Sequence, residues 1–165
     1  MVDNHPEKAK HELHDRLNTS RYALKQVREL VTDMKFVSLK KEMELSKDIL
    51  HKAGIELVIK DDGSMLPLSN VAETMAALSI REAITNVIKH SEANQCTITA
   101  YIESEYYYIQ VSDNGNGSMR QGEGNGLQSM RERMAMLQGD MYITSSPDRG
   151  TDITFKVPLT SNGRR

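Results

Sequence analysis

Leu13, Leu17, Ser20, Leu24, Val27, Val31 and Met34 follow one another at alternating spacings of four and three. They form a heptad seam, interrupted only by Ser20, within a glycine-free stretch from Pro6 to Lys35. This predicts one long helix with Pro6 in its first turn and the seam turned towards another helix. After a break at Phe36 to Ser38, a second helix is predicted from Leu39 to Lys52, with Gly54 at its end. Ile55 to Lys60 reads as a strand and Asp61-Asp62-Gly63-Ser64 as a turn. Asn70 and Glu73 resemble a capping pair for a helix reaching His90. Thr97 to Glu103 and Tyr106 to Ser112 alternate as two strands around Ser104-Glu105. A glycine-rich segment runs from Asp113 to Gly126, and Leu127 to Leu137 is helical, with Gly139 just beyond. Met141 to Ser145 and Thr151 to Pro158 make a last hairpin around Pro147 to Gly150. From Phe36 on, this order predicts an α+β fold, a two-layer sandwich with helices on one face of a largely antiparallel sheet.

Composition narrows the picture modestly. The 165 residues carry a formal net charge of -2 with pI near 6.2, which gives no basic face for nucleic acid. One cysteine, Cys96, excludes an internal disulfide and a cysteine-rich zinc site, and its strand-like setting suggests an inert packing thiol. No stretch approaches the ~20 apolar residues of a membrane helix, so a soluble fragment in a reducing, cytoplasmic compartment is expected.

Three features break the ordinary pattern. On the helix ending at His90, Glu82, Asn86 and Lys89 or His90 align in one narrow stripe beside the apolar Ile80, Ile84, Val87 and Ile88. The stripe is either a solvated outer face or a polar site, because burying such groups unpaired is costly. Asp113-Asn114-Gly115-Asn116-Gly117 follows a strand directly, which suits backbone passing close to a ligand and equally suits a simple turn. Gly122 to Gly126 runs straight into a helix, whose free amide hydrogens and positive dipole end favour phosphate, although a plain loop reads the same way. Neither the P-loop pattern nor an early dinucleotide-binding glycine turn is present.

In this order and spacing the features resemble the nucleotide-binding core of histidine kinases, type II topoisomerases, Hsp90-type chaperones and mismatch-repair ATPases. Arg81 to Ser91 is similar to the kinases' asparagine box, Asp113, Gly115 and Gly117 to a first glycine box, and Gly124, Gly126 and Leu127 to a second. Gly150-Thr151 with Phe155 resembles the terminal segment. Gly126-Leu127-Gln128-Ser129-Met130-Arg131-Glu132-Arg133, with only Ser118 to Glu123 between the glycine boxes, looks like the short-lid subgroup of nitrate-regulator-type and thermosensor kinases.

The resemblance implies a Bergerat-type ATP-binding domain over 37–160, preceded at 1–36 by the C-terminal helix of a dimerisation hairpin and followed by a disordered tail at 161–165. It implies a protein-histidine kinase that uses ATP and Mg²⁺, pairs with a response regulator and dimerises through the helical hairpin. Its parent could be membrane-anchored through an upstream region. Asn86 would hold Mg²⁺, Glu82 would polarise or act as base, and Lys89 and His90 would contact phosphates. Asp113 would accept the adenine amino proton, Gly115 and Gly117 would shape the base pocket, Gly124, Gly126 and Leu127 the phosphate side, and Gly150 and Thr151 the adenine end.

His14-Asp15-Arg16-Leu17 imitates a phosphoacceptor motif, but Asn18-Thr19 replaces the usual continuation. From His14 to Lys35 a single helix would run about 32 Å without the turn that an acceptor hairpin needs. The acceptor is therefore expected upstream. Two other readings stay open: an anti-sigma-factor-type serine kinase, and a non-catalytic nucleotide-binding or interaction module.

Overall fold

A computed structural model describes residues 36–61, 68–117 and 125–159. The chain divides between Phe36 and Val37 into two units. The long helix expected at Pro6 to Lys35, His14, the turn after Asp61, Gly124 and the C-terminal tail lie outside the described residues.

Helix α1, Leu39–Lys52, begins at Ser38, whose Oγ accepts the Lys41 amide at 3.2 Å. Its buried positions, Leu39, Glu42, Met43, Ser46 and Leu50, recur at three and four and line one face. The helix stops where the amides of Gly54 and Ile55 turn back onto the carbonyls of His51 and Leu50. Strand β1, Glu56–Asp61, follows.

Helix α2, Asn70–Asn86, is capped by Ser69, which accepts the Ala72 amide at 3.1 Å. The expected cap at Asn70 therefore moves back one residue, and Glu73 is released for another contact. Its carboxylate accepts the Leu39 amide at 2.9 Å and satisfies an open donor at the start of α1. Lower down, Arg81 donates from Nε and Nη2 to Glu42, with the shorter bond 2.7 Å; the Glu42 side chain is only 3% exposed, that of Arg81 50%. Two polar ties thus fix α1 to α2 at a set register. Losing Arg81 would leave Glu42 a buried, unpaired carboxylate.

Helix α2 runs on into a π-helical turn, Val87–Ser91, ended by Glu92 at φ 56°. Strands β2, Gln95–Glu103, and β3, Tyr106–Asp113, pair antiparallel, then helix α3, Asn125–Met136, leads to β4, Asp140–Ser146, and β5, Gly150–Pro158. The sheet order is β1-β2-β3-β5-β4; β1 and β2 run parallel and every other neighbour antiparallel. The expected α+β sandwich and largely antiparallel sheet are what the chain forms.

Alternation along β2, β3 and β5 turns Ile98, Ile109, Val111, Ile153, Phe155 and Val157 into the core beneath the helices. The opposite face carries Tyr101 stacked on Tyr108, ring centroids 5.0 Å apart, and the Lys156 ammonium 4.1 Å from the Tyr106 ring centre. Cys96 is buried in β2, where burial first and the charge of Asp113 second push its thiol up to about 12, as suits an inert thiol.

Candidate functional site

Asp113 is the last residue of β3 and only 6% exposed. Its carboxylate accepts the Gly115 amide at 2.8 Å and also the backbone N–H of Thr151 at the start of β5. Burial pushes this carboxyl above the ordinary aspartate range; the two amides oppose the shift and nearby Asp152 adds to it. Both of these partners are backbone amides rather than side chains.

Close backbone approach explains the glycines around it. A Cβ on Gly115 would strike the carbonyl of Ser91, and one on Gly117 the carbonyl of Ser146. Gly150 sits at φ +89°, in the left-handed region, with its Cα against the Asp113 carbonyl, so both conformation and space demand glycine. Ser91, at the end of the π-helical turn, anchors the loop from below, because its carbonyl accepts the Asn116 amide at 2.8 Å. Such turns concentrate at functional sites. The Ser91 hydroxyl in turn donates to the Val87 carbonyl at 2.6 Å.

Asn114 serves as a clasp. Its Oδ1 accepts the amides of Asn94 and Gln95 at 3.0 Å each, and its Nδ2 donates to Asn94 Oδ1 at 2.6 Å. Ser145 completes the cradle by donating to the Gly117 carbonyl at 2.9 Å and lying 3.0 Å from the Thr151 hydroxyl. Sequence reasoning missed Ser91 and Ser145. The second was accessible, since extending the Met141–Pro158 hairpin in register sets Ser145 opposite Thr151.

The Glu82 stripe is built differently. Glu82 and Asn86 are half-buried on α2, while Lys89 and His90 are exposed on the π-helical turn. The carboxylate of Glu82 lies against the Cα of Gly126, in the first turn of α3. Leu127 is buried in the core, in contact with the cluster beneath the helices. The structure therefore gathers Asp113, Gly115, Gly117, Gly150 and Thr151 into one cradle and sets Glu82 beside Gly126. Helix α2 and its π-helical extension carry Asn86, Lys89 and His90 onward from Glu82. Gly124 is outside the described residues. Among the described residues a cavity of about 830 Å³ lies elsewhere, between α1 and β1 beside His51 and Glu56.

This combination, a helix-covered, largely antiparallel sheet with an aspartate cradle at one strand end and a glycine-led helix opposite an acid-amide stripe, fits a nucleotide-binding ATPase class. Residues 72–161 match the histidine kinase-, DNA gyrase B- and HSP90-like ATPase family, and the chain belongs to it. It is 36% identical over 160 residues to the sensor histidine kinase YvfT of Bacillus subtilis, covering 96% of this chain and 43% of that protein. It is 32% identical over 164 residues to the sensor histidine kinase DesK of the same organism, covering 98% and 44% respectively. The chain thus spans less than half the length of these relatives. In fold it is similar to the histidine kinase domain of the blue-light-activated histidine kinase from Erythrobacter litoralis, with TM-score 0.63 and 16% identity over 82% of this chain and 70% of that one.

Proposed function

We propose that residues 37–160 are the ATP-binding catalytic domain of a two-component sensor histidine kinase and that residues 1–36 supply the C-terminal helix of its dimerisation hairpin. The reaction is transfer of the γ-phosphoryl group of ATP to a histidine upstream of this chain. The observation that carries the reading is Asp113, a buried carboxylate held by two backbone amides and walled by glycines. An acceptor in that setting takes the adenine amino group as donor and disfavours guanine, which offers a carbonyl oxygen instead. Family membership supports ATP as the nucleotide.

Mg²⁺ fits the donors present. Among the described residues no group of three or more His, Cys, Asp or Glu converges. Mg²⁺ bound with a nucleotide needs only one or two protein oxygens besides the phosphates. Asn86 would hold it through its amide oxygen, and the ion would neutralise phosphate charge. Glu82, one helical turn earlier, would orient or deprotonate the incoming imidazole. Lys89, His90 and the amides opening α3 would bind phosphate oxygens, and Gly124 would shape the approach. Catalysis would rest on positioning and charge stabilisation.

A response regulator would receive the phosphoryl group, and the parent protein would be a homodimer with this domain on the cytoplasmic side. Among the described residues no helix is long and apolar enough to cross a membrane.

Calorimetric titration with ATP and GTP, with and without Mg²⁺, tests the reading. Micromolar to sub-millimolar ATP binding that discriminates against GTP and is lost in Asp113→Asn is expected. Folded protein that ignores ATP would sink the assignment.

A further inference from the structure

Arg133 closes the Gly126-to-Arg133 run, and the nucleotide-binding reading leaves it without a task. It sits two turns along α3 from Gly126, on the same side of the helix. The residue is half-buried, and its Nη1 is wholly buried without a hydrogen-bond partner. A buried guanidinium nitrogen left unsatisfied is costly, and natural structures keep few of them. Burial lowers the pKa of the group; the charge of Glu82 opposes this, that of Arg81 adds to it, and Glu132 opposes it less strongly. Glu82 is thus the strongest anionic influence on Arg133, yet its carboxylate lies up against Gly126 at the positive end of α3. In that place it stands where a helix of this kind would receive phosphate.

We propose that Arg133 is a positioning residue that receives the Glu82 carboxylate when nucleotide phosphates take the N-terminus of α3. This rests on the ATP-binding reading above. Without nucleotide, Glu82 serves as an internal anion for the helix end, and the Arg133 Nη1 waits unpaired. Phosphate oxygens entering the same field repel the carboxylate, which turns down α3 and accepts from Nη1. One movement empties the phosphate seat, satisfies a buried donor and fixes Glu82 in a single direction. Arg133 touches neither nucleotide nor the reacting atoms; it acts through Glu82.

The test is a double-mutant cycle on the full chain, with Arg133→Met, Arg133→Lys, Glu82→Gln and Arg133→Met/Glu82→Gln, reading Mg·ATP affinity by calorimetry and unfolding midpoints with and without saturating ATP. Arg133→Met is expected to weaken ATP binding about tenfold, the worth of one charge-assisted hydrogen bond. Its unfolding midpoint without nucleotide should hold or rise, because an unsatisfied donor has been removed. Arg133→Lys should recover part of the affinity. In the Glu82→Gln background, Arg133→Met should change affinity less than twofold. Equal losses in both backgrounds, or a midpoint without nucleotide that falls as far as the ATP-bound one, would overturn the proposal, as would unchanged affinity in Arg133→Met. If the wild-type chain itself fails to bind ATP, the underlying reading falls and this proposal with it; normal wild-type binding with an additive cycle removes the proposal alone.

Discussion

The two ends of the proposed nucleotide site are made by opposite means. Around Asp113 the carboxylate and its glycines are held by backbone, with Gly115 and Thr151 amides on the carboxylate, Ser91 beneath the loop and the Asp113 carbonyl against Gly150, while the Asn114 and Ser145 side chains brace the loop. Around Glu82 the groups are side chains on one helix and its π-helical extension, half-buried at Glu82 and Asn86 and exposed at Lys89 and His90. On the proposed reading the base end is therefore set before ligand arrives, whereas the phosphate end would be completed by the charge it binds. A rigid end confers selectivity, because a misfit cannot be accommodated. An adjustable end suits a triphosphate that must be held, cleaved and released as diphosphate.

The largest expected effect comes from filling the rigid end. Gly150→Ala forces a side chain into the left-handed region and against the Asp113 carbonyl. Strain and overlap together should cost about 3 kcal/mol. That should lower the unfolding midpoint by roughly 10 °C in a thermal melt. ATP binding should vanish at temperatures where the protein remains folded. Wild-type stability in Gly150→Ala would show that the cradle is softer than its contacts indicate and would erase the contrast between the two ends.

Next comes Asp113→Asn, which separates stability from binding. Asp113 titrates above its ordinary range in the folded protein, with burial the leading cause. A carboxyl raised in this way contributes stability that is fully present below its unfolded pKa, about 3.9. That contribution is lost as pH rises through the folded value, so at neutral pH the buried ion is a net burden. Asp113→Asn should therefore be at least as stable as wild type at pH 7 by chemical denaturation, and its margin should narrow as the pH falls towards 4. ATP affinity should drop by about a hundredfold or more, because the amide's NH₂ can meet the adenine amino group donor to donor. Retained affinity would remove Asp113 from the base site.

Much of this contrast was legible in the chain and some was not. The rigid end left a local signal, an aspartate at a strand end followed by alternating glycines, which fits a simple turn equally well; Gly150-Thr151 joined it only through the family resemblance. The alternation of β2, β3 and β5 likewise gave the sheet, because a period of two admits one buried face. What escaped depends on contacts between distant segments. Asn70 and Glu73 look like a capping pair, but Ser69 is a competent cap one residue earlier and α1 needs the Glu73 carboxylate at Leu39. The π-helical turn has no pattern of its own; through it Ser91 presents its carbonyl to the amide of Asn116, far along the chain, beside the Asn116–Glu92 side-chain contact. Arg133 stands in the sequence only as the end of the Gly126-to-Arg133 run; its electrostatic link to Glu82 depends on how α2 and α3 pack.

The smallest effect belongs at the adjustable end, on the exposed side chains. Lys89 and His90 stand at the end of the π-helical turn, open to solvent. An exposed polar or charged side chain in that position acts on phosphate through water and mobile salt, and its worth is a fraction of that of a buried group. Lys89→Ala and His90→Ala should each weaken ATP binding by less than about tenfold at low ionic strength, and by less again at 0.5 M salt, where the Debye length is roughly 4 Å. Asp113→Asn should show no comparable salt dependence, because its bond is short-ranged and enclosed. Measuring affinity across a salt series for all three variants therefore sorts the two ends by mechanism. A steep salt slope at Asp113, or a large salt-independent loss at Lys89, would mean that the rigid and adjustable ends have been assigned the wrong way round.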